Sequence, residues 1–257
     1  MSIYEHFRPE ERSLIDHFSD LRDQAAERYV SKRTDFLDPR QQIILKSVIG
    51  SRDDVRLSFF GGYDQAERAR ALILPKYAEE KDNPFQLSYL EVRYPSKFGM
   101  ITHPQLLGSL IGTGVSRDKI GDLLIEEGHA QFICTEELEP YFALNLNSVG
   151  KMSVSCVPIK RQALLHGVDD WQNFDGTISS LRLDTVLSEV YHLPRAKTSE
   201  LITKGFVKVN WKIVEKRDFE ICEGDCLSLR GFGRSKIISS GGLTKKNKIR
   251  IQYGKLK

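Results

Sequence analysis

The sequence is poor in the residues on which redox, metal and membrane chemistry depend. It has only 4 cysteines in 257 residues, and Cys134, Cys156, Cys222 and Cys226 are scattered. The one close pair, Cys222 and Cys226, has no second pair to complete a metal site. These residues read as reduced thiols, mostly buried, and no metal or other cofactor is expected. The histidines (His6, His17, His103, His129, His166 and His192) show neither metal-ligand spacing nor an adjoining nucleophile motif, so each reads as a surface or packing residue. No apolar run approaches the ~18 residues that a spanning helix requires. Residues 1–12 carry acids and no apolar core, unlike a signal peptide. No membrane insertion is expected, and the expected location is cytoplasmic. Gly108, Gly112 and Gly114 follow a helical stretch instead of leading from a strand into a helix, so they read as a loop and not as a dinucleotide fingerprint. Glu126 and Glu127, like Glu136, Glu137 and Glu139, crowd acids without forming a recognisable catalytic pair, and read as solvated edges. No catalytic residue is expected, and the chain is not read as an enzyme.

What is present is an ordinary globular composition, 40% hydrophobic and 28% charged. The length accommodates two or three small domains. The formal net charge of +3 conceals an uneven distribution. Residues 178–257 hold 17 Lys+Arg against 8 Asp+Glu, a net +9, whereas residues 1–177 hold 21 against 27, a net −6. Such asymmetry points to a polyanionic partner for the basic part. A solubilising surface is the alternative, with Lys245, Lys246, Lys248, Arg250, Lys255 and Lys257 forming a solvated strand face.

The pattern predicts an α+β, multidomain chain. Residues 1–75 read as an α-rich, mixed unit: helical spacing over residues 3–46, interrupted at Asp38-Pro39, then a strand through Val55, Leu57 and Phe59. Gly61-Gly62, a short helix over residues 63–70 and a strand over residues 71–74 follow. The glycine pair is either a simple chain reversal or a phosphate loop. Residues 76–165 alternate as β-α-β-β-α-β, the order of a ferredoxin-like, RRM-like unit. The aromatic consensus of RNA-recognition motifs is missing from its central strands, so it is not read as a base-stacking platform. Residues 166–177, with Asp169, Asp170, Gln172 and Asn173, read as a polar linker into a basic module over residues 178–257. That module reads as a helix pair on a small β-sheet: Leu183, Val186, Leu187 and Val190 line one helix, Pro194 breaks the chain, and a second helix ends at Gly205. Strands follow, with turns at Asn210-Trp211 and Glu223-Gly224-Asp225.

Three blocks within the module, RLDTVL from Arg182, PRAKTSELITKGFVKVN from Pro194 and EGDCLSLRGFGR from Glu223, resemble the RNA-binding domain named after ribosomal protein S-four. With FFGGYDQAERAR from Phe59 upstream, nearly the whole chain is similar to the YlmH family. The resemblance implies a phosphate-contacting face formed by Arg182, Arg195, Lys197, Lys204, Lys208 and Lys212, with helix N-termini adding amide donors. Asp184 is expected to be structural, capping its helix or pairing with Arg182. The chain departs from the S-four-type pattern at Trp211, where the hairpin usually has Gly, and at Pro194, where Ser is common. Trp211 either stacks on a base or packs beside the hairpin. The function so implied is non-catalytic binding to structured RNA, rRNA or tRNA, on a large ribosomal subunit carrying peptidyl-tRNA, in translation quality control or rescue. An RNA-modifying enzyme anchored by the same module is an alternative, although the only RLD run belongs to the anchor itself. A scaffold contacting cell-division proteins is another.

Overall fold

In a computed structural model of the chain, the described residues are 4, 7, 9–51, 53–79, 83–95, 97, 99–126, 128–165 and 171–256. They form two compact units, Met1–Gly167 and Val168–Lys257. The expectations placed on His6, Glu127, His166 and residues 166–170 lie outside the described residues.

The first unit opens with α1 (Arg12–Arg28), which buries Ile15, Phe18 and Ala25 and stops at Tyr29 in the left-handed region, φ 52°. The expected run of helix over residues 3–46 is then broken by a strand, β1 (Lys32–Leu37). Asp38-Pro39 interrupts the pattern because it starts a new helix. The Asp38 carboxylate accepts from the Gln41 amide, the Gln41 side chain accepts from the Asp38 amide, both at 2.9 Å, and Pro39 occupies the first turn of α2 (Pro39–Ile49). Strands β2 (Val55–Phe60) and β3 (Ala69–Pro75) complete an antiparallel sheet ordered β1-β3-β2. Ile15, Phe18, Ile44, Leu45 and Val48 pack on it.

The predicted ferredoxin-like order is present. Strand β4 (Leu87–Arg93), α3 (His103–Gly112), β5 (Ile120–Glu126), β6 (His129–Thr135), α4 (Glu139–Asn145), the short β7 (Ser148–Val149) and β8 (Met152–Ser153), and β9 (Ser155–Pro158) follow in sequence. The four main strands lie in the order β5-β6-β4-β9, all neighbours antiparallel. Gly108 and Gly112 sit inside α3, not in the loop expected of them, and only Gly114, φ 92°, lies in the turn that follows. One face of this sheet is covered by α3 and α4 through Leu106, Leu110 and Phe142. The other is covered too: Phe36 of β1, with Phe60 and Tyr63, packs onto Leu87, Leu124 and Ile133, and Leu164 closes the same cluster. The parts expected as separate units, 1–75 and 76–165, therefore share a core.

The second unit begins earlier than expected. Strand β10 (Trp171–Ile178) pairs along its whole length with the last strand, from Trp171↔Leu256 to Ile178↔Ile249. Residues 171–177 thus belong to the sheet and are not linker. Helices α5 (Leu183–Tyr191) and α6 (Arg195–Thr203) pack on a six-stranded sheet of β10, β11 (Val207–Val209), β12 (Lys212–Ile213), β13 (Cys226–Leu229), β14 (Gly233–Leu243) and β15 (Ile249–Leu256), ordered β10-β15-β14-β13-β11-β12. Leu183, Val186, Leu187, Leu201, Ile202, Val207, Val209, Leu227 and Leu229 form one buried cluster. To it the C-terminal hairpin adds Ile237, Ile251 and Tyr253. At ~1.5–3 kcal/mol per fully buried aliphatic side chain, this cluster is the main source of the module's stability.

Candidate nucleic-acid interface

Helix α5 ends at His192 in the left-handed region, φ 53°, and Pro194 restarts the chain as the residue before α6. This tight corner brings the first turns of both helices together. Thr198 fixes the junction, its hydroxyl donating to the carbonyls of Asp184 at 3.1 Å and of Arg195 at 3.0 Å.

Arg182, immediately before α5, and Arg195, the first residue of α6, converge on one carboxylate. Arg182 Nε donates to Asp184 Oδ1 at 3.1 Å and Arg195 Nη2 to Oδ2 at 2.7 Å. The Asp184 side chain is 7% exposed, against 46% for Arg182 and 55% for Arg195. Burial works against the charged carboxylate, but the hydrogen bonds from Arg182 and Arg195 outweigh it and hold the acid below its ordinary pKa. The Arg182 guanidinium is correspondingly raised by its bond to Asp184. Asp184 is therefore structural by pairing with both arginines, not by capping. Each guanidinium carries five donors in a planar fork, so the pair keeps N–H groups for a second anion while the buried acid fixes the spacing. That is the arrangement a phosphate clamp requires.

The expected amide donors at the start of α5 are already committed. Leu183 N–H donates to the Phe219 carbonyl at 2.8 Å and Asp184 N–H to that of Arg217 at 3.1 Å. At this helix end the side chains of Arg182 and Arg195, and not these two amides, are the donors that face outward.

The other cations are not all on the same surface. Lys197, on α6, and Lys204, the residue that caps its C-terminal end, share Glu200 at 3.1 and 2.6 Å. All three are exposed, so these pairs contribute little to stability. Lys208 lies between Val207 and Val209, which face the helices, so alternation sends it to the opposite side of the sheet. Lys212 pairs with Val209 beside the turn. That turn has Asn210 at φ 48° and Trp211 at φ 64°, the signature of a type I′ hairpin. Asn210 holds it in place, donating to Asp225 at 2.7 Å and accepting from the Cys226 amide at 2.9 Å. Of the C-terminal cations, Lys245, Lys246 and Lys248 lie in the turn between β14 and β15, where the Lys248 amide donates to Thr244 Oγ1 at 3.0 Å; Arg250 and Lys255 lie along β15, and Lys257 is outside the described residues.

The glycine-rich FFGGYDQAERAR segment is a brace. Residues 63–68 form an irregular loop, not the expected helix, because Asp122 of β5 captures it. Asp122 accepts from Tyr63 Oη at 2.8 Å and from the amides of Glu67 at 2.7 Å and Arg68 at 3.0 Å. Burial raises the Asp122 pKa, with the three hydrogen bonds opposing it. Arg68 reaches the Phe36 carbonyl at 2.8 Å, and the buried Arg70 reaches those of Thr34 at 2.7 Å and Phe85 at 2.9 Å. Gly61 and Gly62 permit close approach: an added Cβ would stand 2.2 Å from the Arg68 oxygen at one and 2.8 Å from Ile133 Cδ1 at the other. This packing also closes the sheet face on which an RNA-recognition motif would stack bases, as does Gln131, which bonds Ala163 O and Leu165 N. Among the described residues no cluster of His, Cys, Asp or Glu could hold a metal, and no helix is long and apolar enough to cross a membrane. None of the four cysteines is in a disulfide; Cys134 and Cys156 are buried, whereas Cys222 is exposed and Cys226 partly so, fewer buried than expected.

Three family models match in succession: "YlmH, N-terminal" over residues 10–78, "Putative RNA-binding domain in YlmH" over 80–163 and "S4 domain" over 181–226. The chain is 42% identical over 255 residues, 99% of each chain, to the "Ribosome-associated protein quality control protein P2" of Bacillus subtilis (strain 168). It is also similar to a solved structure, "Cell division protein ylmH from Streptococcus pneumoniae", with 27% identity and a TM-score of 0.54, covering 64% of this chain and all of that one.

Proposed function

Because the chain belongs to the YlmH family, we propose that it is a non-catalytic, ribosome-associated RNA-binding protein of translation quality control. It docks on structured rRNA or tRNA of a large subunit carrying peptidyl-tRNA, in the cytoplasm. The observation that carries this reading is the Arg182–Asp184–Arg195 clamp on a module of net charge +9. The +9 module supplies counterion release, and the clamp supplies position. The occupied carboxylate of Asp184 supports the non-catalytic reading, since the acid of the only RLD run already serves two arginines. A second reading, contact with cell-division proteins, has the name of the pneumococcal structure in its favour.

The test is sedimentation of large subunits and peptidyl-tRNA from cells with and without the protein, together with mass spectrometry of their RNA. The expected result is an altered subunit or peptidyl-tRNA profile with every modified nucleotide retained. A single base modification missing in the deletion, and restored by the intact protein, would make the chain an enzyme.

A further inference from the structure

The sheet of the second unit has two unlike faces. Val207, Leu227, Ile237, Ile251 and Tyr253 pack under α5 and α6. Alternation therefore sends Lys208, Arg234, Lys236 and Arg250 to the other side. The pairings Lys208↔Ser228↔Arg234 and Lys236↔Gly254↔Asn173 lay these residues out in cross-strand rows. The acid that alternation puts on this face from β10 is Asp175, opposite Gln252. At the β10 end of this surface is a cavity of about 410 Å³, lined by Trp171, Asn173, Lys236, Ile238 and Gly254 among others. It falls within the range of small-ligand sites, about 300–1,000 Å³. Trp171 lies against the backbone of β15: a Cβ on Gly254 would stand 3.2 Å from Trp171 Cε3.

An indole laid on a strand, an exposed isoleucine, an amide and an ammonium fit one kind of occupant. A nucleobase is flat and apolar on its faces, needs hydrogen bonds at its edge and carries a phosphate next to it. We propose that this cavity takes an unpaired RNA base stacked on Trp171, with Asn173 at the base edge and Lys236 on the adjoining phosphate. Lys208, Arg234 and Arg250 extend the path for the strand. Stacking on an aromatic inside a basic groove is how single strands are held without regard to sequence, and the face is charge-complementary to no other abundant flat ligand that continues as a polymer. The proposal rests on the RNA-binding reading above and adds a second surface, on the opposite side of the sheet from the helices.

The test uses the full chain with Trp211→Phe, which leaves Trp171 as the only indole. Its emission is followed while short oligouridylate is added, with heparin as a polyanion lacking bases and an rRNA hairpin as structured RNA. Saturable quenching by oligouridylate and none by heparin is expected. In the natural background, Trp171→Leu, which keeps apolar packing on Gly254, should weaken oligouridylate binding roughly five- to hundred-fold, the range for losing one stacked base. Trp171→Phe should keep most of the affinity, and both variants should still bind the hairpin. Unchanged emission, equal quenching by heparin, or wild-type oligouridylate affinity in Trp171→Leu, each with hairpin binding intact, would remove the stacking site and leave the RNA-binding reading standing. If the intact chain binds neither RNA, both fall.

Discussion

Removing Arg182 and Arg195 tests the clamp, and the structure predicts that it will damage the fold as well as the binding. Exposed arginines usually cost within about 0.5 kcal/mol when replaced, and at 46% and 55% exposure both meet that description. Their partner does not, because the Asp184 side chain is 7% exposed. The double Ala variant leaves that carboxylate enclosed without a cation. Breaking a buried pair costs about 3–5 kcal/mol, and the half-exposed arginines reduce this, so about 2–3 kcal/mol is expected. Asp184→Asn in the same chain removes the orphaned charge and should recover most of the loss. The pH dependence follows from the direction of the shift. In the native protein the folded carboxyl is held below its ordinary pKa of about 4, so its stabilisation is present at neutral pH and fades as pH falls through the folded value. Without the arginines only the Thr185 hydroxyl, 3.4 Å from Asp184 Oδ1, opposes burial, so the folded pKa should lie above the unfolded one and acid should favour the folded variant. The stability gap is therefore widest at neutral pH and closes in acid. Both tryptophans, Trp171 and Trp211, lie in the second unit, so urea unfolding followed by their fluorescence reports on this module. The triple variant, stable again, should still bind rRNA more weakly by a few kcal/mol, at ~1.5–3 per charge-assisted bond lost. Wild-type stability of the double variant at neutral pH, or no recovery on adding Asp184→Asn, would refute this account of the clamp. Wild-type RNA affinity in the triple variant would refute its role in binding.

If about five phosphates are neutralised, log K for structured RNA should fall against log salt with a slope near −4; a flat titration would dismiss the electrostatic case. Gly62→Ala should cost about 2–4 kcal/mol in the first unit, because its Cβ would meet Ile133 and Tyr89 at 2.8 and 2.9 Å with φ at 108°; hydrogen exchange within β4 and β6 would show the loss. Trp211→Gly should stabilise the second unit by roughly 0.5–1 kcal/mol, since an indole at φ 64° pays for a left-handed backbone that glycine adopts freely. A loss in the urea midpoint would instead mean that the side chain's packing outweighs the strain.

The sequence alone determined the elements whose periodicity is local. The apolar faces of α5 and α6, the alternation of β4 to β6, the break at Asp38-Pro39 and the three S-four-type blocks could each be read within a few residues, and the apolar set of the basic module proved to be its core. Where partners are distant, local pattern misled. Strand β1, KRTDFL, has too few apolar residues to read as a strand, because its polar groups are satisfied from afar: Asp35 by Lys119 at 2.8 Å, Arg33 by the Pro84 carbonyl at 2.7 Å, Thr34 by the Ala71 amide at 2.9 Å. The loop over residues 63–68 has helix-forming residues, but a buried acid more than fifty positions away takes the amides a helix would have used. Strand β10 looked like a linker since its Asn173 and Asp175 face away from the core, and its backbone partner is the far end of the chain. The candidate site divides in the same way. Its arginines were legible from the motif, whereas the shared carboxylate, the separation of Lys208 from the helices and the place of Trp171 over Gly254 depend on which strands pair and which faces they turn inward. Side-chain identity is a local property; the face it occupies is set by tertiary pairing.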